Sequence, residues 1–149
     1  MKEIVGDIWT EAESPAYIVV PTNGFVKNNG ECVMGRGLAY QAKTQFPMLP
    51  KELGTRIKEN GNIVFVFDEY EIITFPVKHN WMEMADLNLI EGSARRLRKI
   101  ALEEIYPLPI YMSHVGCGNG GLNWQDVKPI IKRYLGDLEN ITICDARGV

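Results

Sequence analysis

Apolar residues along this chain gather in short unbroken runs, and between the runs they recur at helical intervals. Tyr17 to Val20, Ile63 to Phe67, Glu71 to Phe75, Ile110 to Val115 and Ile141 to Cys144 are rich in β-branched and aromatic side chains. Turn-forming residues bound them, which predicts strands. A further short strand is expected ahead of Gly6. The runs are more continuous than alternating, as in strands buried on both faces. Ile63 to Phe67 and Glu71 to Phe75 flank the acidic pair Asp68-Glu69 and predict a hairpin. Helical spacing appears from Leu38 to Phe46 and from Pro50 to Glu59. The second of these has proline at a plausible first position and Gly61 just past its end. The longest predicted helix runs from Asp86 to Glu104, with Leu87, Ile90, Ala94, Leu97 and Ala101 on one stripe. The last opens at Asn123 or Trp124, runs to about Leu135 and stops at Gly136.

Strands alternating with helices imply an α/β fold, with a mixed, mostly parallel sheet covered on both faces. The chain of 149 residues has no internal repeat, low-complexity tract or linker, so one domain is expected to span 1–149. Sheets of this kind bind ligands beyond the C-terminal ends of their strands. The loops that follow the predicted strands are therefore the place to look for chemistry.

Charge and cysteine content narrow the classes. A net charge of −3 argues against a broad basic surface for nucleic acid. It leaves room for a phosphate site built from backbone N–H groups, which needs little net charge. Cys32, Cys117 and Cys144 cannot all pair within one chain, and no CxxC spacing suggests zinc. Reduced thiols, no metal and a cytoplasmic protein are expected. The N-terminus lacks a signal-peptide run, and no stretch approaches a membrane span.

Two glycine-rich loops precede helices: Cys32 to Ala39, containing Gly35-Arg36-Gly37, and Gly116-Cys117-Gly118-Asn119-Gly120-Gly121-Leu122. Glycine admits close backbone approach and positive φ, and N–H groups at a helix start suit phosphate oxygens. Two such loops facing each other would hold both phosphates of a pyrophosphate; each alone reads equally as turn punctuation. Asn23 ends the Val19-Val20-Pro21-Thr22 strand and offers donors and an acceptor to sugar hydroxyls, or to its own turn. Asp7, in Gly6-Asp7-Ile8, is placed either to accept from an exocyclic amine or to close a turn. Lys78, in Phe75-Pro76-Val77-Lys78-His79-Asn80-Trp81, directly follows a strand. Partial desolvation would lower its pKa and make it a nucleophile. His79 and His114, the two histidines, read first as structural.

In order and spacing, Gly6-Asp7-Ile8, Ile18 to Asn23, Met34 to Ala39 and Gly116 to Leu122 resemble the macrodomain family across nearly the whole chain. The resemblance implies a three-layer α/β/α fold that binds ADP-ribose. Asp7 and Ile8 would then hold adenine and Asn23 the distal ribose, with catalytic roles for Asn23 and Lys78. The loops at Gly35, Arg36 and Gly37, and at Gly116 through Leu122, would cradle the diphosphate. Phe75-Pro76-Val77-Lys78, Trp81 and Val115 to Trp124 are most similar to the DNA ADP-ribosyl glycohydrolase antitoxins (DarG type) and the terminal ADP-ribose protein glycohydrolases. Both branches carry a working lysine at the position of Lys78. The first removes ADP-ribose from thymidine in DNA; the second removes it from glutamate side chains.

The match departs from the protein glycohydrolases at Gly120, where they carry a catalytic Asp. The antitoxins extend beyond their macrodomain, and the length of this chain predicts a stand-alone relative of phage or bacterial origin. The resemblance implies a hydrolase with no cofactor. ADP-ribose is its ligand or product, and ADP-ribosylated DNA or protein is its partner. A phosphatase acting on ADP-ribose-1''-phosphate, and a reader without chemistry, are the alternatives on the same fold.

Overall fold

The computed structural model describes residues 1–147. Among them, six strands form one sheet: β1 (Lys2–Val5), β2 (Tyr17–Asn23), β3 (Phe65–Phe67), β4 (Ile72–Lys78), β5 (Ile110–Met112) and β6 (Ile141–Asp145). Their order is β1-β6-β5-β2-β4-β3. Every neighbouring pair is parallel except β3 with β4, which is the antiparallel hairpin at one edge. The helices are α1 (Ile8–Glu11), α2 (Gly37–Gln45), α3 (Leu49–Asn60), α4 (Leu87–Ile100) and α5 (Trp124–Leu135). The result is the mixed, mostly parallel sheet and three-layer fold that the pattern of runs predicts.

The continuous strands are continuous because both of their faces are covered. In β2, Tyr17 and Val19 join a core with Ile90, Ala94 and Leu97 of α4 and Val127, Ile131 and Leu135 of α5. Their neighbours Ile18 and Val20 join a second core with Ile8 of α1, Ala42 of α2 and Leu49 and Leu53 of α3. The period of two in side-chain direction thus feeds two apolar layers from one run. Asp86 caps α4, its side chain accepting from the backbone N–H of Asn88 and Leu89. Arg98 then ties α4 to the end of α5 through the Tyr134 carbonyl and the Asp137 carboxylate. No helix among the described residues is long and apolar enough to cross a membrane.

Several boundaries differ from the sequence expectation, each for a local reason. The strand expected from Glu71 to Phe75 continues through Pro76 to Lys78. Its partner β3 pairs no further than Thr74. Pro76 therefore sits where one side of the strand has no ladder to donate to, the place a strand tolerates proline. The run from Ile110 to Val115 leaves the sheet after Met112, and Val115 N–H turns back to the Ser113 carbonyl. The run from Ile63 forms a strand only from Phe65. The long helix expected from Asp86 to Glu104 is α-helical to Ile100 and then widens into a π-turn over Ala101–Ile105. Pro50 is the second residue of α3, whose end is closed by Gly61 at φ 91°. The one-turn helix α1 has no sequence forecast, since four residues are too few to show a period.

Candidate ligand-binding site

The C-terminal strand ends and the loops that follow them enclose a cleft of about 1520 Å³. Asp7, Ile8, Asn23, Gly35, Arg36, Gly37, Lys78, Gly116, Gly118, Asn119 and Gly120 all line it. Three residues of the second glycine loop do not: Cys117, Gly121 and Leu122. Leu122 packs against the core, its N–H bonded to the Gly116 carbonyl at 3.0 Å. Cys117 donates its thiol to the Val115 carbonyl, and burial pushes that thiol up.

The first loop runs into α2. Gly37 begins the helix at φ 58°, a left-handed conformation that favours glycine. No side chain caps this helix start. Its first N–H groups lack a side-chain acceptor and suit an anion. A side chain at Gly37 would begin 3.3 Å from Asn119 Nδ2 of the second loop. The two loops therefore face each other at close range.

The second loop is glycine-rich mainly because it is crowded. A side-chain carbon on Gly116, which is at φ 78°, would strike Ile90. One on Gly120 would strike the Gly116 carbonyl and Ala85. Ala85 N–H is already bonded to the Gly120 carbonyl at 2.9 Å. An acid at position 120 has no space in this packing.

Asn23 and Lys78 meet through an irregularity that sequence alone does not reveal. The β2–β4 register shifts between Thr22 and Asn23, which sets Asn23 directly beside Lys78. Lys78 Nζ donates to the Asn119 carbonyl at 3.1 Å and the Trp81 carbonyl at 3.4 Å. Partial burial, with the nearby Arg36 guanidinium adding to it, holds the Lys78 amine below the usual lysine range. Asn62 steadies the same residue by donating from Nδ2 to its carbonyl.

The polar ends of Asn23 and Asp7 are partly committed to the fold. Asn23 Nδ2 donates to the Val33 carbonyl, and its Oδ1 accepts from Phe25 N–H. The Cys32 thiol also lies 4.0 Å from Oδ1, so one amide N–H is what remains for a ligand. Asp7 caps α1, accepting from Trp9 N–H and from the Thr10 hydroxyl.

Asp145 and Arg147, which also line the cleft, were not singled out from the sequence. Asp145 ends β6, and Arg147 follows it. The same strand-end rule that picks out Asn23 and Lys78 would have found both. Burial disfavours charge on Asp145. Hydrogen bonds from Arg147, its backbone N–H and His114 N–H outweigh that and hold the carboxyl well below the usual range. His114 stacks on Trp124 at 4.1 Å, and burial lowers its pKa despite Asp145 nearby. Phe25, Trp81, Met82 and Met84 form an apolar rim, each at least 37% exposed.

No family model matches the chain. The DNA ADP-ribosyl glycohydrolase of Thermus aquaticus is 30% identical over 121 residues, 74% of this chain and 33% of that protein. That of Mycobacterium tuberculosis is 30% identical over 105 residues, 64% of this chain and 30% of its own length. The chain thus spans about a third of the length of the curated relatives it matches. The macrodomain of Thermus aquaticus DarG superposes with a TM-score of 0.75 at 27% identity, covering 97% of this chain and 95% of that one. Thermosipho africanus DarTG in complex with ADP-ribose superposes at 0.79 with 24% identity, covering 97% and 41%.

The α/β/α unit, its strand-end cleft and its two glycine loops match these macrodomains over nearly the whole chain, and the chain is a macrodomain. Within that family, the chain belongs with the macrodomains of the DarG type.

Proposed function

We propose that this macrodomain is an ADP-ribosyl glycohydrolase that removes ADP-ribose from a DNA base. One observation carries the reading: Lys78, its amine held below the usual lysine range, stands beside Asn23 at the end of the cleft where the two glycine loops meet. The loops hold the diphosphate, so the distal ribose adopts one pose, and positioning of this kind removes several kcal/mol from a barrier. The neutral Lys78 amine adds to the anomeric carbon. The bond from that carbon to the base breaks, and the base leaves with its electron pair and takes the proton that the amine gives up. Water then adds to the same carbon, releases Lys78 and frees ADP-ribose. Asn23 orients a ribose hydroxyl with the amide N–H that the loop leaves unused.

Relatives named DNA ADP-ribosyl glycohydrolases support the base over a protein carboxylate. Packing at Gly120 supports it too. A catalytic acid there, as in the protein glycohydrolases, would strike the Gly116 carbonyl and Ala85.

The test is turnover of single-stranded DNA carrying thymidine-linked ADP-ribose. Wild type is expected to release ADP-ribose, and Lys78→Ala to lose about a hundredfold or more in rate while still binding ADP-ribose. Full activity of Lys78→Ala would overturn the reading. One observation favours a second reading, a binding module. Lys78 Nζ donates to two carbonyls, which suits an ammonium that anchors rather than attacks. Tight ADP-ribose binding without turnover of any linked substrate would select it.

A further inference from the structure

The end of β6 brings a further cation into the cleft, besides Lys27, Arg36 and Lys78. Asp145 is 6% exposed, so its carboxylate must find partners within the protein. Oδ2 accepts from His114 N–H at 3.0 Å and from Arg147 Nη2 at 3.0 Å. Oδ1 accepts from the Arg147 backbone N–H and from its Nε, both at 2.9 Å. A tight turn therefore locks the guanidinium by one edge. The side chain is nonetheless 53% exposed, and it lines the cleft.

A counter-ion for Asp145 needs Nε and Nη2; Nη1 has no acceptor among the described residues. Nη1 lies against the second glycine loop, 3.8 Å from where a side chain would begin on Gly118. Guanidinium carries donors and no acceptor, so what it meets in the cleft must accept, and an anionic oxygen does so best. Asp145 also neutralises the charge of Arg147. Its effect on a ligand is then a directed hydrogen bond rather than a diffuse field.

We infer that Arg147 is a ligand-binding residue, held in place by Asp145, which donates from Nη1 to a diphosphate oxygen at the second glycine loop. This rests on the reading that the cleft takes ADP-ribose. The positioning also explains why arginine serves here and lysine would not: a single ammonium cannot satisfy Asp145 and reach the ligand in two fixed directions at once.

Calorimetry with ADP-ribose, and NMR titration with adenosine, test it on wild type, Arg147→Ala, Arg147→Lys and Asp145→Asn. Arg147→Ala is expected to weaken ADP-ribose about tenfold or more, the usual scale for a hydrogen bond to a charged group, and to leave adenosine unchanged. Arg147→Lys keeps the charge beside Asp145, and so keeps the fold if Arg147→Ala does not; it is expected to lose nearly as much affinity. Asp145→Asn frees the guanidinium and should lose less. Wild-type affinity in Arg147→Ala or in Arg147→Lys overturns the inference, leaving Arg147 as a counter-ion or a diffuse charge. Equal weakening toward adenosine and ADP-ribose overturns it too. If wild type itself fails to bind ADP-ribose, the reading of the cleft falls, and this inference falls with it.

Discussion

The two glycine loops look alike in the sequence and differ in kind in the structure. At the first, Gly35 has open space where a side chain would be, and the chain runs directly into the uncapped start of α2. At the second, Gly116 and Gly120 are buried, and a side chain on either would strike its neighbours. The first loop leaves its backbone open to the cleft. The second is first a packing solution, braced by the Gly120 carbonyl to Ala85 and by Leu122 to Gly116, and it opens to the cleft at the exposed residues Gly118 and Asn119. A run of glycines thus reports a requirement for small residues without saying whether a ligand or the protein makes it.

That contrast is easiest to break by adding one carbon. Gly120→Ala is expected to cost about 2 to 3 kcal/mol, because the collision is with backbone and cannot be relieved by a rotamer change. Gly35→Ala should stay within roughly 0.5 kcal/mol, as surface changes away from contacts do. Urea midpoints of the two variants check this. If Gly120→Ala matched Gly35→Ala, the second loop would not be crowded, and the packing argument against an acid there would fail.

Gly37 lies between these extremes. Its φ of 58° penalises any side chain by about 1 kcal/mol, and the added carbon would sit 3.3 Å from Asn119 Nδ2. Gly37→Ala is therefore expected to destabilise modestly and also to weaken ADP-ribose by narrowing the gap between the loops. Calorimetry on the folded variant separates the effects. Unchanged affinity would mean that the diphosphate does not pass between Gly37 and Asn119.

Much of this architecture was legible in the sequence. The strand runs, the helix stripes and the hairpin at Asp68-Glu69 follow from burial on both faces of one sheet, which leaves a strong periodic record. What escaped has no period. The register shift that brings Asn23 beside Lys78 depends on hydrogen bonds between strands far apart in the chain. The pairing of Asp145 with Arg147 is a single turn. Cys117 and Leu122 stand in a glycine string, and the direction of their side chains is set by packing that the string does not encode.

The rim offers a smaller test on the substrate side of the first loop. Trp81 is 47% exposed, and its carbonyl accepts from Lys78 Nζ. Trp81 lines the cleft beside Lys78, and in the proposed reaction the group that leaves the ribose would meet it there. In the DNA reading, Trp81→Ala should raise the KM for ADP-ribosylated DNA about fivefold, the low end for one stacked base, and leave free ADP-ribose binding unchanged. Steady-state kinetics beside calorimetry decides it. An equal loss in both would place Trp81 against ADP-ribose itself.

The finest effect is expected at Arg36, the charge carried by the open loop. Burial lowers the Lys78 pKa first, and the Arg36 guanidinium lowers it further. If the free amine is the reacting form, turnover rises with pH as Lys78 loses its proton, with a midpoint below that of an ordinary lysine near 10.4. Arg36→Gln removes the repulsion between the two cations, so the Lys78 pKa rises and the rising limb moves to higher pH. Turnover at neutral pH falls accordingly, and at alkaline pH it returns toward wild type. A loss that is the same at every pH would instead place Arg36 on the ligand phosphates. The first loop would then act through its charge as well as its backbone, and the contrast with the second loop would sharpen rather than break.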